Sequence, residues 1–326
     1  MTRDDNIKSV GEPSPLQHQD QPALHAPAAP VTARIRNMAR ADLDRVGEIL
    51  FNAYTANASK RGYAPRMQNA QEGTSWAWAM LRHAPADILI AEVEDRAVGI
   101  CCLNPRGEQG GVGPVAVDPS FQGQGIGRLL MNALLARAEG LKSVRLFQEA
   151  FNPASFSLYY SLDFAPVADM LDLVLSAGIR TGTGADGTIN EGTANDLDAV
   201  AAYDAPRSKL ARRSDLAFYV KWGKILVYRQ GAQILGFLAC LPGARFVQLG
   251  PLVAEGEEVA RRLFEHAAAV FSGRPCQTRV MARDTLLVRA LQASGFKLYC
   301  LNILMVRGSW RPGPSIESFG GFPEGV

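Results

Sequence analysis

The chain has 326 residues, enough for about two domains of ordinary size. It is 47% hydrophobic and 20% charged, with a net charge of +2, too small to make nucleic acid or an anionic membrane its main partner. No stretch approaches the roughly 20 apolar residues that span a bilayer.

Residues 1–30 are polar and rich in Pro and Ala, lack the apolar core of a secretory signal, and read as a disordered leader. A strand is predicted at 33–37, then helices at 41–56 and 72–83. A hairpin follows at 87–94 and 97–103, then a strand at 111–117. A glycine-rich turn opens a helix at 125–139. A strand at 143–149, a helix at 153–162 and a strand at 164–175 complete the set. Strands and helices mix without strict alternation, so the fold class is α/β (α+β), with a mixed, mostly antiparallel sheet flanked by helices. The five cysteines show no C-x-x-C or Cys/His metal spacing, and Cys101-Cys102 lie in an apolar strand. No metal site is expected. Buried thiols of this kind suit a reducing cytoplasm.

The order then repeats. "ADILIAEVEDRAVGICCLNP" (86–105) matches "GKILVYRQGAQILGFLACLP" (223–242), so that Ile88 and Ile225, Gly99 and Gly236, and Gly113 and Gly250 all stand 137 apart. "ADLDRV" at 41–46 matches "NDLDAV" at 195–200, and "SLDF" at 161–164 matches "ASGF" at 293–296. Such self-similarity implies a duplicated domain. The boundaries expected are 31–178 and 193–308, with a linker at 179–192 and a flexible, Gly- and Pro-rich tail at 309–326.

The turn in "VAVDPSFQGQGIGRLLM" (115–131) carries the chemistry. The first N–H groups of a helix have no internal partner, and the helix dipole favours an anion there. Glycines let a phosphate approach the main chain. Arg128 adds a cation. A dinucleotide fold would place G-x-G-x-x-G directly after its first strand. Here the spacing is G-x-G-x-G, after three earlier strands.

With its flanks, Gln122-x-x-Gly125-x-Gly127 resembles the acetyl-CoA signature of the GCN5-related N-acetyltransferase (GNAT) superfamily. "FNPASFSLYYSLDF" (151–164) resembles a second motif of that family, in family order. The resemblance covers about 33–175, and through the repeat extends weakly to the second copy. It implies two tandem GNAT-like domains and acetyl-CoA as co-substrate. Val115, Ala116 and Val117 would bond the pantetheine arm and the acetyl carbonyl. Gln122, Gly123, Gln124, Gly125, Ile126, Gly127 and Arg128 would hold the pyrophosphate. Asn152 falls where the family often bonds pantetheine, and Tyr159 where a tyrosine often protonates the departing thiolate. Asp163 replaces a usual glycine, which Asp tolerates better than most residues.

Acetyl transfer to an amine also needs a base. None of His18, His25, His83 and His266 falls in the motif region; Glu149, at the end of its strand, is a candidate, and water is an alternative. The acceptor is expected near 52–80, where Trp76 and Trp78 face different sides of a helix; at least one reads as core, and the other as core or as a wall of the acceptor pocket. In the second copy only Gly256 remains of the three glycines. Glu255, Glu257 and Glu258 crowd that helix start, and Leu291 replaces Tyr159. Three carboxylates there repel a pyrophosphate. The expectation is therefore a cytoplasmic N-acetyltransferase with a degenerate C-terminal half. Its acceptor would be a small-molecule or peptide amine, with no nucleic acid or membrane partner and a homodimer left open. The alternative is a non-catalytic acyl-CoA-binding sensor or scaffold protein.

Overall fold

The strand β2 (Ile88–Val93), ILIAEV, is buried along its whole length because the sheet is covered on both faces. Alternate side chains serve different cores. Ile88 and Ile90 pack under α1 (Leu43–Ser59) and α2 (Ala70–His83), whereas Leu89, Ala91 and Val93 pack under α3 (Ile126–Arg137) and α4 (Pro153–Tyr160). The computed structural model describes residues 32–63, 65–83, 88–178, 188–310, 313 and 315–319. The leader expected at 1–30 and residues 179–187 of the expected linker lie outside the described residues.

The first half continues with β1 (Arg34–Asn37), β3 (Arg96–Arg106), β4 (Gln109–Val117), β5 (Ser143–Glu149) and β6 (Ala165–Leu175). The second half repeats the plan. It contains β7 (Ile189–Glu191), α5 (Leu197–Ser208), α6 (Arg213–Trp222), β8 (Lys224–Gln230), β9 (Gln233–Pro242) and β10 (Val247–Ala254). These are followed by α7 (Glu257–Val270), β11 (Cys276–Met281), α8 (Thr285–Ala293) and β12 (Lys297–Gly308). In β8, Ile225 and Val227 face the core under α5 and α6, and Leu226 and Tyr228 face the core under α7 and α8.

All strands join one sheet, ordered β1-β2-β3-β4-β5-β12-β6-β11-β13-β10-β9-β8-β7. Among the described residues only β4–β5 and β10–β11 run parallel. The halves exchange their last long strands. β12 of the second half pairs with β5, from Ser143 opposite Gly308 to Glu149 opposite Asn302. β6 of the first half pairs with β11, from Cys276 opposite Leu175 to Met281 opposite Met170. The hydrogen-bond ladder therefore runs unbroken from one half into the other. Buried ion pairs cross it too: Arg106 of β3 is paired with Asp215 of α6.

The tail departs from the expected flexible segment. Ile316–Phe319 forms a further strand, β13, between β10 and β11. Two neighbours with open hydrogen-bonding edges satisfy its backbone, which outweighs the poor strand propensity of the residues around it.

Candidate active site

Beyond their first three partners, β4 and β5 part. The parallel pairing stops at Gly111 opposite Arg145. On the other side of β4 the register against β3 slips between Val112 and Val115. Such a bulge bends a strand and re-aims its groups. The gap between β4 and β5 is a cavity of about 140 Å³ lined by Val115, Glu149, Asn152 and Tyr159, among others. Val115 thus shares one cavity with Glu149, Asn152 and Tyr159, which follow it by 34 to 44 residues.

The glycine turn lies at the end of β4. Asp118 accepts a hydrogen bond from the Ser120 amide at 3.0 Å, and Arg45 pairs with its other oxygen, which fixes the exit from the strand. Gly123 and Gly125 have φ of +78° and +84°, a region that side chains disfavour, and a Cβ at either would meet open space. Gly125 is the N-cap of α3, so the first amides of Ile126, Gly127 and Arg128 are free of helical partners. Gln122, Gly123, Gly125 and Arg128 are exposed. Three side chains expected at the pyrophosphate have protein partners here. Gln122 donates to the Val117 carbonyl at 3.0 Å, and Gln124 to the Ser120 carbonyl at 3.1 Å. Arg128 donates to the Ser161 hydroxyl at 2.8 Å.

Asn152 is the N-cap of α4, accepting from the Ser155 amide. Tyr159 projects inward from α4 and is 7% exposed, whereas its neighbour Tyr160 is 53% exposed. Among the described residues the Tyr159 hydroxyl makes no hydrogen bond. Burial, then the Tyr54, Cys101 and Glu149 groups, push its pKa well above the ordinary phenol value, so it stays protonated. Asp163 adopts φ +65°, the left-handed turn that its replacement of glycine requires. Tyr54, on α1, lines the same cavity, and burial raises its phenol to about 12.

Glu149 is held on both oxygens. Asn57 donates to Oε2 at 2.9 Å, and Arg66 bonds Oε1. Arg66 reaches on to Asp172 of β6 at 3.4 Å and Asn302 of β12 at 3.3 Å. Asp172 is fully buried and accepts from Arg279 of β11, at 2.5 and 2.9 Å. Burial opposes its charge, but Arg279 and Arg66 outweigh that and lower its pKa. Likewise burial opposes the Arg66 charge, but Glu149 and Asp172 outweigh it and raise its pKa. Arg66, Asp172 and Arg279 were not singled out in the sequence. Their partners lie at 149, 172 and 302, beyond any local motif.

A second cavity, of about 700 Å³, shares Arg66, Trp76 and Arg279 with the first and opens between the halves. Both Trp76 and Trp78 line it; Trp76 packs partly into the core, and Trp78 meets Trp222 of the second half edge-on at 6.4 Å.

In the second half the register slips at the matching place, between Leu249 and Leu252, and β10 and β11 part in the same way. There β13 fills the gap. Leu291, at the place of Tyr159, is fully buried in the apolar core. Glu255 pairs with Arg207, and Glu258 with Arg261, at the start of α7.

Among the described residues no helix is long and apolar enough to cross a membrane. The first half matches the acetyltransferase (GNAT) family at 46–164, and the second matches an acetyltransferase (GNAT) domain at 200–320; together they cover more than half of the chain. An uncharacterised N-acetyltransferase of Methanocaldococcus jannaschii is 29% identical over 143 residues, 41% of this chain and 61% of that protein. The mycothiol acetyltransferase of Nocardia farcinica is 32% identical over 135 residues, 39% of this chain and 42% of that enzyme. The matches thus span less than two thirds of either relative. A crystal structure of a Pyrococcus horikoshii protein assigned to the acetyltransferases shares the fold, with a TM-score of 0.73 at 18% identity, over 93% of this chain and 98% of that one. With parted strands, glycine turn and duplicated halves, the chain belongs to the GNAT acetyltransferase family as a tandem member.

Proposed function

We propose that the protein is an acetyl-CoA-dependent N-acetyltransferase in which the first half holds acetyl-CoA and a primary amine attacks it directly in a ternary complex. The observation that carries this reading is the gap between β4 and β5, with Tyr159 among its lining residues and the glycine turn at its end. The free amides of α3 receive the pyrophosphate, and Gly123 and Gly125 let it reach the main chain. The open edge of Val115, Ala116 and Val117 receives the pantetheine arm and polarises the acetyl carbonyl. Asn152 lies beside the arm.

The amine nitrogen attacks the thioester carbonyl, a C–N bond forms and the C–S bond breaks. Tyr159 gives its proton to the leaving sulfur. Glu149, fixed by Arg66 and Asn57, receives the amine by hydrogen bonding and passes its proton to solvent. Tyr159 is then reprotonated from water. The products are free CoA and an N-acetyl amide.

The test is calorimetry with acetyl-CoA, followed by free-thiol release with a panel of amines. Binding at one site per chain and amine-dependent thiol release are expected. Binding without release from any amine would favour the acyl-CoA sensor. No binding would overturn both readings.

A further inference from the structure

The larger cavity has a composition that narrows the acceptor; this inference rests on the transferase reading above. Three of the chain's four tryptophans, Trp76, Trp78 and Trp222, line it. Trp78 and Trp222 are 39% and 45% exposed, an unusual state for such large apolar side chains. Aromatic walls of this size fit a flat apolar body that stacks on them.

The charges on the wall are mostly committed. Arg66 and Arg279 are tied to Glu149 and Asp172. Glu72 caps its own helix, accepting from the Gln68 amide at 3.2 Å. Arg245, from the β9–β10 connection, is the exception. Its guanidinium donates to the Pro65 carbonyl at 2.8 Å and lies over the rings of Phe246 and Tyr299, but has no carboxylate partner among the described residues. Thr278 and Tyr299 also line this wall, and among the described residues their buried hydroxyls make no hydrogen bond. A buried hydroxyl left so costs free energy that a polar ligand group recovers.

The geometry points to an acceptor that is an aromatic amine-bearing acid: a primary amine directed to Glu149, a ring among the tryptophans and a carboxylate that meets Arg245. A charge-assisted pair to a guanidinium supplies the affinity and the ring supplies the fit.

The full-length protein is titrated while tryptophan fluorescence is followed, which reads binding without turnover. The probes are two pairs, benzylamine against 4-(aminomethyl)benzoate and 2-phenylethylamine against phenylalanine, with spermidine as the non-aromatic amine. In at least one pair the acid binds more tightly, by about tenfold for one charged hydrogen-bonded contact. In Arg245→Gln that preference disappears while the plain amine binds as before. Equal affinities within both pairs, a preference that survives Arg245→Gln, or tighter binding of spermidine overturns the assignment. Calorimetry with acetyl-CoA on the same sample separates the two levels. Acetyl-CoA binding without binding of any aromatic probe overturns the acceptor class alone, and loss of acetyl-CoA binding overturns the transferase reading beneath it.

Discussion

Ser318 of β13 stands in register opposite Leu252 of β10, and Leu252 is the counterpart, 137 residues on, of Val115. Glu317 opposite Val253 and Ile316 opposite Ala254 continue the correspondence with Ala116 and Val117. The chain's own tail thus lies against the three positions of the second half whose first-half equivalents are proposed to bond pantetheine. Sequence loss at the glycine turn and at Leu291 is matched by physical filling of the gap. Ser318→Pro removes one backbone donor from a strand paired on both sides. The lost ladder bond and the buried acceptor left unpaired cost about 2–4 kcal/mol, which should lower Tm by roughly 3–6 °C, and acetyl-CoA stoichiometry should remain one per chain. Thermal melts and calorimetry check both; an unchanged Tm speaks against the strand, and two tight sites against a filled second gap.

The elements from β1 to β6 were legible because each rests on local pattern. The glycine turn was legible for the same reason, since positive φ at Gly123 and Gly125 leaves its mark on residue type. The exchange of β6 and β12 was not. Both strands alternate in a way that suits either neighbour, and pairing choice across 130 residues has no local signal. Arg66 was invisible among several nearby cations, because Glu149, Asp172 and Asn302 choose it only after folding. The four residues of β13, bounded by Gly and Pro, read as loop until two open strand edges are known.

Gly125→Glu tests the turn. At φ +84° any side chain is strained, and this one adds a negative charge where the pyrophosphate is proposed to lie. Loss of two amide contacts to a charged group, about 3 kcal/mol or more, weakens acetyl-CoA binding by roughly 10²-fold. Calorimetry on protein with an unchanged circular dichroism spectrum reads this. Native affinity in the folded variant would displace the pyrophosphate from this turn.

Asp172→Asn tests the link between the halves. It leaves Arg279 and Arg66 without their shared buried partner, at a cost of roughly 3–5 kcal/mol. The sign with pH follows from a lowered folded pKa. The stabilisation by Asp172 is present above the unfolded value of about 4 and is lost as pH falls through the lower folded value. Urea melts of the native protein and the variant should therefore differ most near neutrality and converge in acid. A constant gap between them across that range would show that the charge is not what matters.

Tyr159→Phe separates proton donation from packing, because the ring keeps its place against Phe164 and only the hydroxyl is removed. If that hydroxyl protonates the leaving thiolate, acetyl-CoA affinity changes little while kcat falls on the order of 10²-fold or more. A core tyrosine with no other role would make the change nearly silent in both assays. The pH profile supplies an independent reading. Burial holds the Tyr159 phenol above its ordinary value of about 10, so the native enzyme should show kcat rising as the acceptor amine loses its proton, with no descending limb at pH 10. A descending limb there, absent from Tyr159→Phe, would mean that Tyr159 titrates as an exposed phenol rather than as one buried beside the gap between β4 and β5. If Tyr160→Phe abolished turnover while Tyr159→Phe kept it, the proton would come from the exposed face of α4, which the inward placement of Tyr159 argues against.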